Sequence, residues 1–281
     1  MKNVNHPDSV NRRPSSVVFL PNIITSLNLI FGCCAIVFVL QPGLVPSYVQ
    51  QGDSLLADVN NNGAQFINLP QQIFLSSLFI ALAALADFAD GFVARLFKAD
   101  SSLGKELDSL CDVVSFGVAP GMIVYQFLRL SYAQQEDGLD ISFIYLLPAF
   151  IIPAAGAYRL ARFNIDTEQA YGFKGLPIPA AGLFIASFPL IYWTSGQAWV
   201  TRLLINQWFW YGIIALVSWL MVSRLPMMAF KFSSFSIKKI FPFIILAVIA
   251  VAGAFITGWL CVPLVFIAYV LLSLLPKQKN V

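Results

Sequence analysis

The chain is built from long apolar runs separated by shorter polar connections. The runs fall near residues 20–41, 71–97, 104–131, 142–164, 176–196, 205–223, 240–257 and 260–276. A helix needs about 20 apolar residues to cross the bilayer core, and these runs are continuous, whereas the strands of a transmembrane barrel would alternate. The pattern therefore predicts an all-α fold, a polytopic transmembrane helix bundle of about eight spans. Pro21 and Asn22 interrupt the first run, which predicts a short juxtamembrane helix before the first span.

Composition excludes a soluble fold. Hydrophobic residues make up 58% of the 281 positions and charged residues only 11%, whereas about 25% of the residues of an ordinary soluble domain are charged. The net charge of +3 is too small to suggest a nucleic-acid partner, so we expect membrane lipids and no nucleic acid. The one histidine, His6, lies in the polar N-terminal tail, and we therefore do not expect histidine-based catalysis.

The charged residues predict an orientation in the membrane. Fifteen of the seventeen basic residues lie on one predicted side, and only Arg129 and Arg202 lie on the other. The fifteen are Lys2, Arg12, Arg13, Arg95, Lys98, Lys105, Arg159, Arg162, Lys174, Arg224, Lys231, Lys238, Lys239, Lys277 and Lys279. By the positive-inside rule that side is cytoplasmic, together with both termini, in an integral, multi-pass protein of the cell (inner) membrane. An outer aromatic belt is predicted from Trp193, Trp208, Trp210 and Tyr211.

The boundary between the last two runs is the weakest part of this topology. Only residues 257–259 separate them, so one long broken segment is an alternative to two spans.

Four aspartates lie inside two of the apolar runs, where carboxylates are rare: Asp87, Asp90, Asp108 and Asp112. An Asp at the centre of a spanning helix costs about 2.5–3.5 kcal/mol on insertion scales, so four of them indicate function. The members of each pair are three or four residues apart and share one helix face. Because a short polar turn joins the two helices, we expect them to pack as antiparallel neighbours and to bring the pairs together near their cytoplasmic ends.

The residues around the aspartates favour a metal site that binds a phosphate ligand. Four carboxylates cannot stay ionised at close range unless cations hold them, and an all-oxygen ligand set favours Mg²⁺ or Mn²⁺. Two ions would suit phosphoryl chemistry. Gly91 leaves room near the backbone, Arg95 could pair with a phosphate, and Ser101 adds a hydroxyl. Intramembrane Asp pairs also occur on ion paths, so a divalent-cation channel or transporter is an alternative, although Arg95 would repel the cargo.

The spacing of these residues resembles the signature of the CDP-alcohol phosphotransferase family. That signature, D-x2-D-G-x2-A-R-x8-G-x3-D-x3-D, reads from Asp87 to Asp112 without a departure. The resemblance implies an enzyme that displaces CMP from a CDP-linked lipid or alcohol with a second alcohol. It implies that Asp87, Asp90 and Asp108 are ligands of a binuclear metal site. It also implies that Asp112 is both a ligand and the base that deprotonates the attacking hydroxyl.

The same resemblance assigns substrate contacts and a domain plan. Gly91, Arg95 and Ser101 match positions that hold the CDP group, and Asn22 and Thr25 resemble the family's other nucleotide-contacting stretch. The family plan implies one membrane-embedded catalytic domain over 1–281, with a polar tail (1–16), a six-span core (17–223) and additional C-terminal spans (224–281). A homodimer is implied by the family alone.

Four sequence segments resemble segments of the family members that use L-serine as the acceptor. They are PNIITSLNLIFG, DSLCDVVSFGVAP, YRLARFNI and FKGLPIPAAG. That likeness implies transfer of the phosphatidyl group from CDP-diacylglycerol to L-serine, giving phosphatidylserine and CMP, by metal-assisted attack of the serine hydroxyl on the β-phosphoryl group. Arg159 and Arg162 are candidates for binding the serine carboxylate or a lipid phosphate, and Lys174 is a third. A sister enzyme that uses glycerol 3-phosphate or inositol would share every metal residue and is an alternative.

Overall fold

The computed structural model describes residues 15–41, 43–45, 67–69, 72–97, 101–135, 141–165, 173–228 and 237–274. The α-helices among them are α1 (Ser15–Leu40), α2 (Ile73–Phe97), α3 (Ser102–Asp112), α4 (Ala119–Tyr132), α5 (Ile151–Ile165), α6 (Ile178–Thr194), α7 (Ala198–Leu204), α8 (Gln207–Val222), α9 (Ile237–Thr257) and α10 (Cys261–Leu274). The polar tail up to residue 14 and most of the connection between the first two spans lie outside the described residues.

Short elements link these helices. A π-helical segment, Val113–Val118, joins α3 to α4, and 3₁₀ turns occur at Phe143–Tyr145, Leu147–Phe150 and Gly258–Leu260. Two small antiparallel strand pairs complete the described part: β1 (Gly43–Val45) with β2 (Ile67–Leu69), and β3 (Phe173–Lys174) with β4 (Pro226–Met227). The all-α prediction is therefore confirmed, because each of these strands has only two or three residues.

Several of the helical stretches are long and apolar enough to cross a membrane. Four described stretches meet that test: Pro21–Leu40, Ile73–Phe97, Ser102–Tyr132 and Ile244–Leu274. A fifth is added if α7 and α8, which meet at a bend of 67°, count as one span. α6 is apolar but has only 17 residues. The fold is thus a membrane helix bundle, and the number of eight spans stays a prediction.

The predicted juxtamembrane helix is continuous with the first span. α1 begins at Ser15 and passes through Pro21 without a break. Proline is tolerated inside membrane helices because neighbouring groups satisfy the backbone atoms that it frees. The buried face of α1 repeats every three or four residues, from Pro21 through Thr25, Asn28 and Gly32, so this helix turns one continuous stripe toward the bundle.

α9 and α10 form a hairpin. Gly258, between them, has a positive φ of 58°, a conformation that favours glycine. A Cβ added at Gly253 would lie only 2.8 Å from Cβ of Cys261, whereas eight residues of straight helix would separate the two by about 12 Å. The chain therefore reverses direction at this turn, so the apolar stretch Ile244–Leu274 is folded back on itself, and its count as one span or two stays a prediction.

The π segment lies at the centre of the bundle, and small residues surround it. A Cβ at Gly32 of α1 would lie 2.9 Å from Cα of Ser115, and a Cβ at Gly182 of α6 would lie 2.9 Å from Cα of Phe116. Such close backbone approaches are how membrane helices pack without large side chains between them. Helices α1 and α6 therefore fix the position of the segment that directly follows Asp112.

Trp210 corrects the predicted aromatic belt. Its side chain is fully buried, stacks on Phe127 at 4.7 Å between ring centroids, and donates a hydrogen bond from Nε1 to the Leu204 carbonyl at 2.7 Å. Trp208 and Trp193 are exposed, as the belt requires. Two residues along a helix rotate the side chain by about 200°, so Trp208 and Trp210 point to opposite sides.

Candidate active site

Three of the four predicted metal ligands come together between α2 and α3. Each of Asp87, Asp90 and Asp108 offers a carboxylate oxygen within 4.8 Å of the others, and we call these three residues the acidic cluster. Oδ1 of Asp108 is buried and has no hydrogen-bond partner among the described residues. Close carboxylates with an unsatisfied buried oxygen fit a hard divalent cation, which binds oxygen ligands. The acidic cluster could therefore hold a metal ion.

The helices that carry these aspartates are held together by α1. α1 packs along α2 and also against α3 and the π segment, whereas α2 and α3 share few backbone contacts. The backbones of α2 and α3 are therefore not closely packed, but their acidic side chains meet as expected. Facing carboxylates repel each other when ionised, which favours a gap between the backbones that a cation can fill.

Polar residues of α1 hydrogen-bond to two of the aspartates. Thr25 donates from Oγ1 to Oδ2 of Asp90, and Asn28 donates from Nδ2 to Oδ1 of Asp112 at 3.2 Å. Thr25 is a predicted nucleotide contact, but its hydroxyl is used here inside the protein. Asn28 is a site residue that the sequence analysis missed. Its position three residues after Thr25, on the same face of an apolar helix, is the signal that could have identified it.

Asp112 has surroundings of its own. Its side chain is buried, lies within electrostatic range of Asp87 and Asp108, and stands just outside the acidic cluster. The π segment begins at the next residue, and Ser115 in it donates to the backbone carbonyl of Asn28 at 3.0 Å. π-helical turns often occur at functional sites. Here the turn and the Asn28 amide together fix the direction of the Asp112 carboxylate.

The predicted nucleotide contacts lie around the junction of α2 and α3. Gly91 faces open space, because a Cβ built on it meets no atom within 4 Å. Arg95, one turn later, is exposed. Ser101 caps α3 by accepting a hydrogen bond from the Gly104 amide at 2.9 Å. A Cβ at Gly104 would also lie 3.0 Å from Oδ1 of Asn22, so Asn22 and Ser101 converge over this glycine.

The two predicted arginines of α5 have different surroundings. Arg159 is buried, and its Nε has no hydrogen-bond partner among the described atoms. Asp112 contributes to its electrostatic environment. Arg162 donates to the carbonyl of Val222, at the end of α8, at 3.0 Å. Lys174 lies in β3, paired with Pro226 of β4. Arg159 therefore keeps a donor that a ligand could use.

α5 is also tied to the helix that carries Asp108 and Asp112. Asn164 donates from Nδ2 to Oγ of Ser109 in α3 at 2.9 Å. This bond places Arg159 and the aspartates at the same end of the bundle.

Fold and site together define a class of membrane-embedded helical proteins with an intramembrane acidic site suited to a divalent metal. The family model for CDP-alcohol phosphatidyltransferase matches residues 18–219, and the chain belongs to that family. The match contains the acidic cluster, Asp112 and both arginines of α5.

Curated relatives carry related names. The chain is 32% identical over 173 residues to the CDP-diacylglycerol–serine O-phosphatidyltransferase of Helicobacter pylori J99. This match covers 59% of this chain and 66% of the relative. It is 36% identical over 124 residues to the Bacillus subtilis protein of the same name. This match covers 44% of this chain and 65% of the relative. It is 40% identical over 115 residues to the archaetidylserine synthase of Methanothermobacter thermautotrophicus. This match covers 40% of this chain and 45% of the relative. The chain thus spans less than two thirds of the length of these relatives.

Proposed function

We propose that the chain transfers the phosphatidyl group of CDP-diacylglycerol to L-serine and gives phosphatidylserine and CMP. The observation that carries the proposal is the acidic cluster, with three carboxylate oxygens within 4.8 Å of one another, in a family member. The names of the relatives support serine as the acceptor.

The donor set fits a divalent cofactor, Mg²⁺ or Mn²⁺, and the number of carboxylates suits two ions. Asp87, Asp90 and Asp108 would hold it, with Asp112 beside them as a further ligand. When bound, the metal would neutralise the diphosphate and stabilise the charge that develops as CMP leaves.

Asp112 is assigned the proton transfer. The serine hydroxyl oxygen attacks the β-phosphorus, its bond to phosphorus forms, and the bond between that phosphorus and the CMP oxygen breaks. The hydroxyl proton goes to the carboxylate of Asp112, which the Asn28 amide holds in place at 3.2 Å. The proton then passes to water, and the CMP oxygen keeps the electron pair of the broken bond.

The substrates are positioned by residues on either side of the acidic cluster. The open space at Gly91 admits the nucleotide diphosphate close to α2, and the exposed guanidinium of Arg95 pairs with a phosphate. Asn22 and Ser101 lie beside Gly104, where they can contact the cytidine end of the donor. The buried guanidinium of Arg159 binds the serine carboxylate, and Arg162 anchors α5 to α8. A cytoplasmic orientation in the inner membrane would let serine arrive from water while the acyl chains stay in the bilayer. Homodimer formation stays a prediction from the family.

The proposal is tested by CMP release from CDP-diacylglycerol in detergent with Mg²⁺ or Mn²⁺. L-Serine, glycerol 3-phosphate and inositol are compared as acceptors. We expect release with serine alone. Release with glycerol 3-phosphate or inositol alone would keep the site and overturn the acceptor. Absence of release with every acceptor would favour the channel or transporter alternative.

A further inference from the structure

We propose that Asn164, near the end of α5, is a positioning residue for the metal ligands of α3, and that it acts through Ser109. Asn164 lies outside the acidic cluster and outside the substrate contacts proposed above. The inference rests on the proposed function in one respect, since it takes the acidic cluster to be a divalent-metal site. It adds a residue that sets how tightly that site binds the metal.

α3 has little burial of its own to hold it in place. Of its 11 residues only Cys111 and Asp112, at its end, are buried, and its backbone is not closely packed on that of α2. The carboxylate of Asp108 lies within 4.8 Å of those of Asp87 and Asp90, and ionised carboxylates repel each other until a cation binds. The position of Asp108 therefore depends on contacts that other helices make with α3.

The end of α5 supplies two such contacts. Nδ2 of Asn164 donates to Oγ of Ser109 at 2.9 Å, and that hydroxyl donates in turn to the Lys105 carbonyl at 3.1 Å. Nζ of Lys105 lies 5.8 Å from the centroid of the Phe163 ring, within the range of a cation–π interaction. Two consecutive residues of α5 thus contact two residues one turn apart on α3. Such a pair of contacts restrains both rotation of α3 about its axis and translation along it.

These contacts hold α3 beside its acidic face. Ser109 follows Asp108 directly and precedes Asp112 by three residues, so the helical repeat of about 100° per residue places Ser109 next to the face that carries both aspartates. On the other side of the acidic cluster, α1 already holds the carboxylate of Asp90. A binding site needs its ligands held to within about 0.5 Å. Loss of the Asn164 contact should therefore let α3 shift and should weaken metal binding.

The test is Mn²⁺ binding to the full-length protein in detergent without substrates, measured as the loss of the EPR signal of free Mn²⁺. Asn164→Ala should raise the Kd for Mn²⁺ about threefold to tenfold, the range expected when one hydrogen bond is lost. Ser109→Ala removes the same bond from the other helix and should have the same effect. Ile165→Ala is the matched control, because it truncates the exposed neighbour of Asn164 and should bind Mn²⁺ like the wild type. Thermal unfolding checks that each variant is folded.

The double variant separates positioning from a general loss of packing. If Asn164 acts through Ser109, Asn164→Ala combined with Ser109→Ala should bind Mn²⁺ no more weakly than either single variant. The inference is overturned if Asn164→Ala binds Mn²⁺ as tightly as the wild type, if the two effects multiply, or if Ile165→Ala weakens binding equally. A wild-type protein that binds no Mn²⁺ would overturn the proposed metal site, and this inference with it. A wild-type protein that binds Mn²⁺ but transfers nothing to serine would overturn the proposed function alone.

Discussion

At the residue scale, each aspartate of the site has different neighbours, and these differences assign the roles. Asp90 accepts a hydrogen bond from Thr25, and Asp108 has a buried oxygen without a described partner. Asp112 accepts from Asn28 and lies just outside the acidic cluster. A carboxylate that keeps one oxygen oriented by an amide is suited to take a proton from a substrate held in front of it.

Substituting Asp112 tests the proposed base. Asp112→Asn should lower kcat for CMP release by about 10²–10⁴-fold, because an amide cannot accept the hydroxyl proton. The shape of the side chain is retained, and Oδ1 of Asn28, which has no described partner, can accept from the new amide. The thermal unfolding temperature should therefore stay close to wild type. Glu106→Gln, at an exposed position of the same helix, is the control and should retain full activity. Activity in Asp112→Asn near that of wild type would contradict the assignment.

Asn28 is predicted to matter through Asp112. Asn28→Ala removes the hydrogen bond to the carboxylate and should lower kcat by about tenfold or more, the effect of losing a bond to a charged group. Steady-state CMP release at saturating substrates measures it. Ser26→Ala is a suitable comparison, since its hydroxyl bonds only to the Asn22 carbonyl of its own helix. Equal kcat values for both variants would mean that Asn28 does not orient Asp112.

Gly91 offers a test of the donor pocket that leaves the packing intact. Because a side chain there meets no atom within 4 Å, Gly91→Leu should not lower the unfolding temperature and can raise it, since leucine favours helix by about 1 kcal/mol. The KM for CDP-diacylglycerol should rise about tenfold or more, because the side chain occupies the space of the donor. Gly212→Leu is the control, at another helical glycine that faces open space. If both variants bind the donor equally well, the space beside Gly91 is not the donor pocket.

At the scale of secondary-structure elements, α1 connects the two halves of the site. It carries Thr25 and Asn28, packs along α2, and meets the π segment at Gly32. The aspartates therefore depend on a helix that carries none of them.

The close contact at Gly32 tests this dependence. A Cβ there would lie 2.9 Å from Cα of Ser115, so Gly32→Val must push α1 away from the π segment. We expect a loss of about 1–3 kcal/mol in the free energy of unfolding, the usual cost of overpacking. We also expect lower activity, because Asn28 moves with the helix. Thermal unfolding in detergent and CMP release measure the two effects. Cys33→Val, at the exposed neighbouring position, should change neither, and a Gly32→Val protein as stable as that control would contradict the packing.

The contacts between these helices show which features the sequence could predict and which it could not. The spacing of Asp87, Asp90, Asp108 and Asp112 is local, so helical periodicity was enough to pair them. The bond from Asn28 to Asp112 joins positions 84 residues apart, and no local pattern reports such a contact. The π segment and the continuous helix through Pro21 depend on tertiary packing, which overrides local signals. The burial of Trp210 was predictable from its angle to Trp208, but the aromatic belt was predicted from positions along the chain without regard to helix periodicity.

At the scale of the whole molecule, the site lies where several helix ends meet. The bond from Asn164 to Ser109 joins α5 to α3, and the bond from Arg162 to the Val222 carbonyl joins α5 to α8. These are ends that the positive-inside rule assigns to one side of the membrane. A site at this end can meet a lipid substrate from the bilayer and a small polar substrate from water.

The central claim is metal-dependent transfer of a phosphatidyl group to serine, and the most direct measurement follows radiolabelled L-serine into lipid. The purified protein in detergent, given CDP-diacylglycerol and Mg²⁺ or Mn²⁺, should move the label into phosphatidylserine with one CMP released per molecule. Chelation by EDTA should abolish the transfer, excess metal should restore it, and Asp112→Asn should not support it. CMP release without label in the lipid fraction, or transfer that persists in EDTA, would contradict the account.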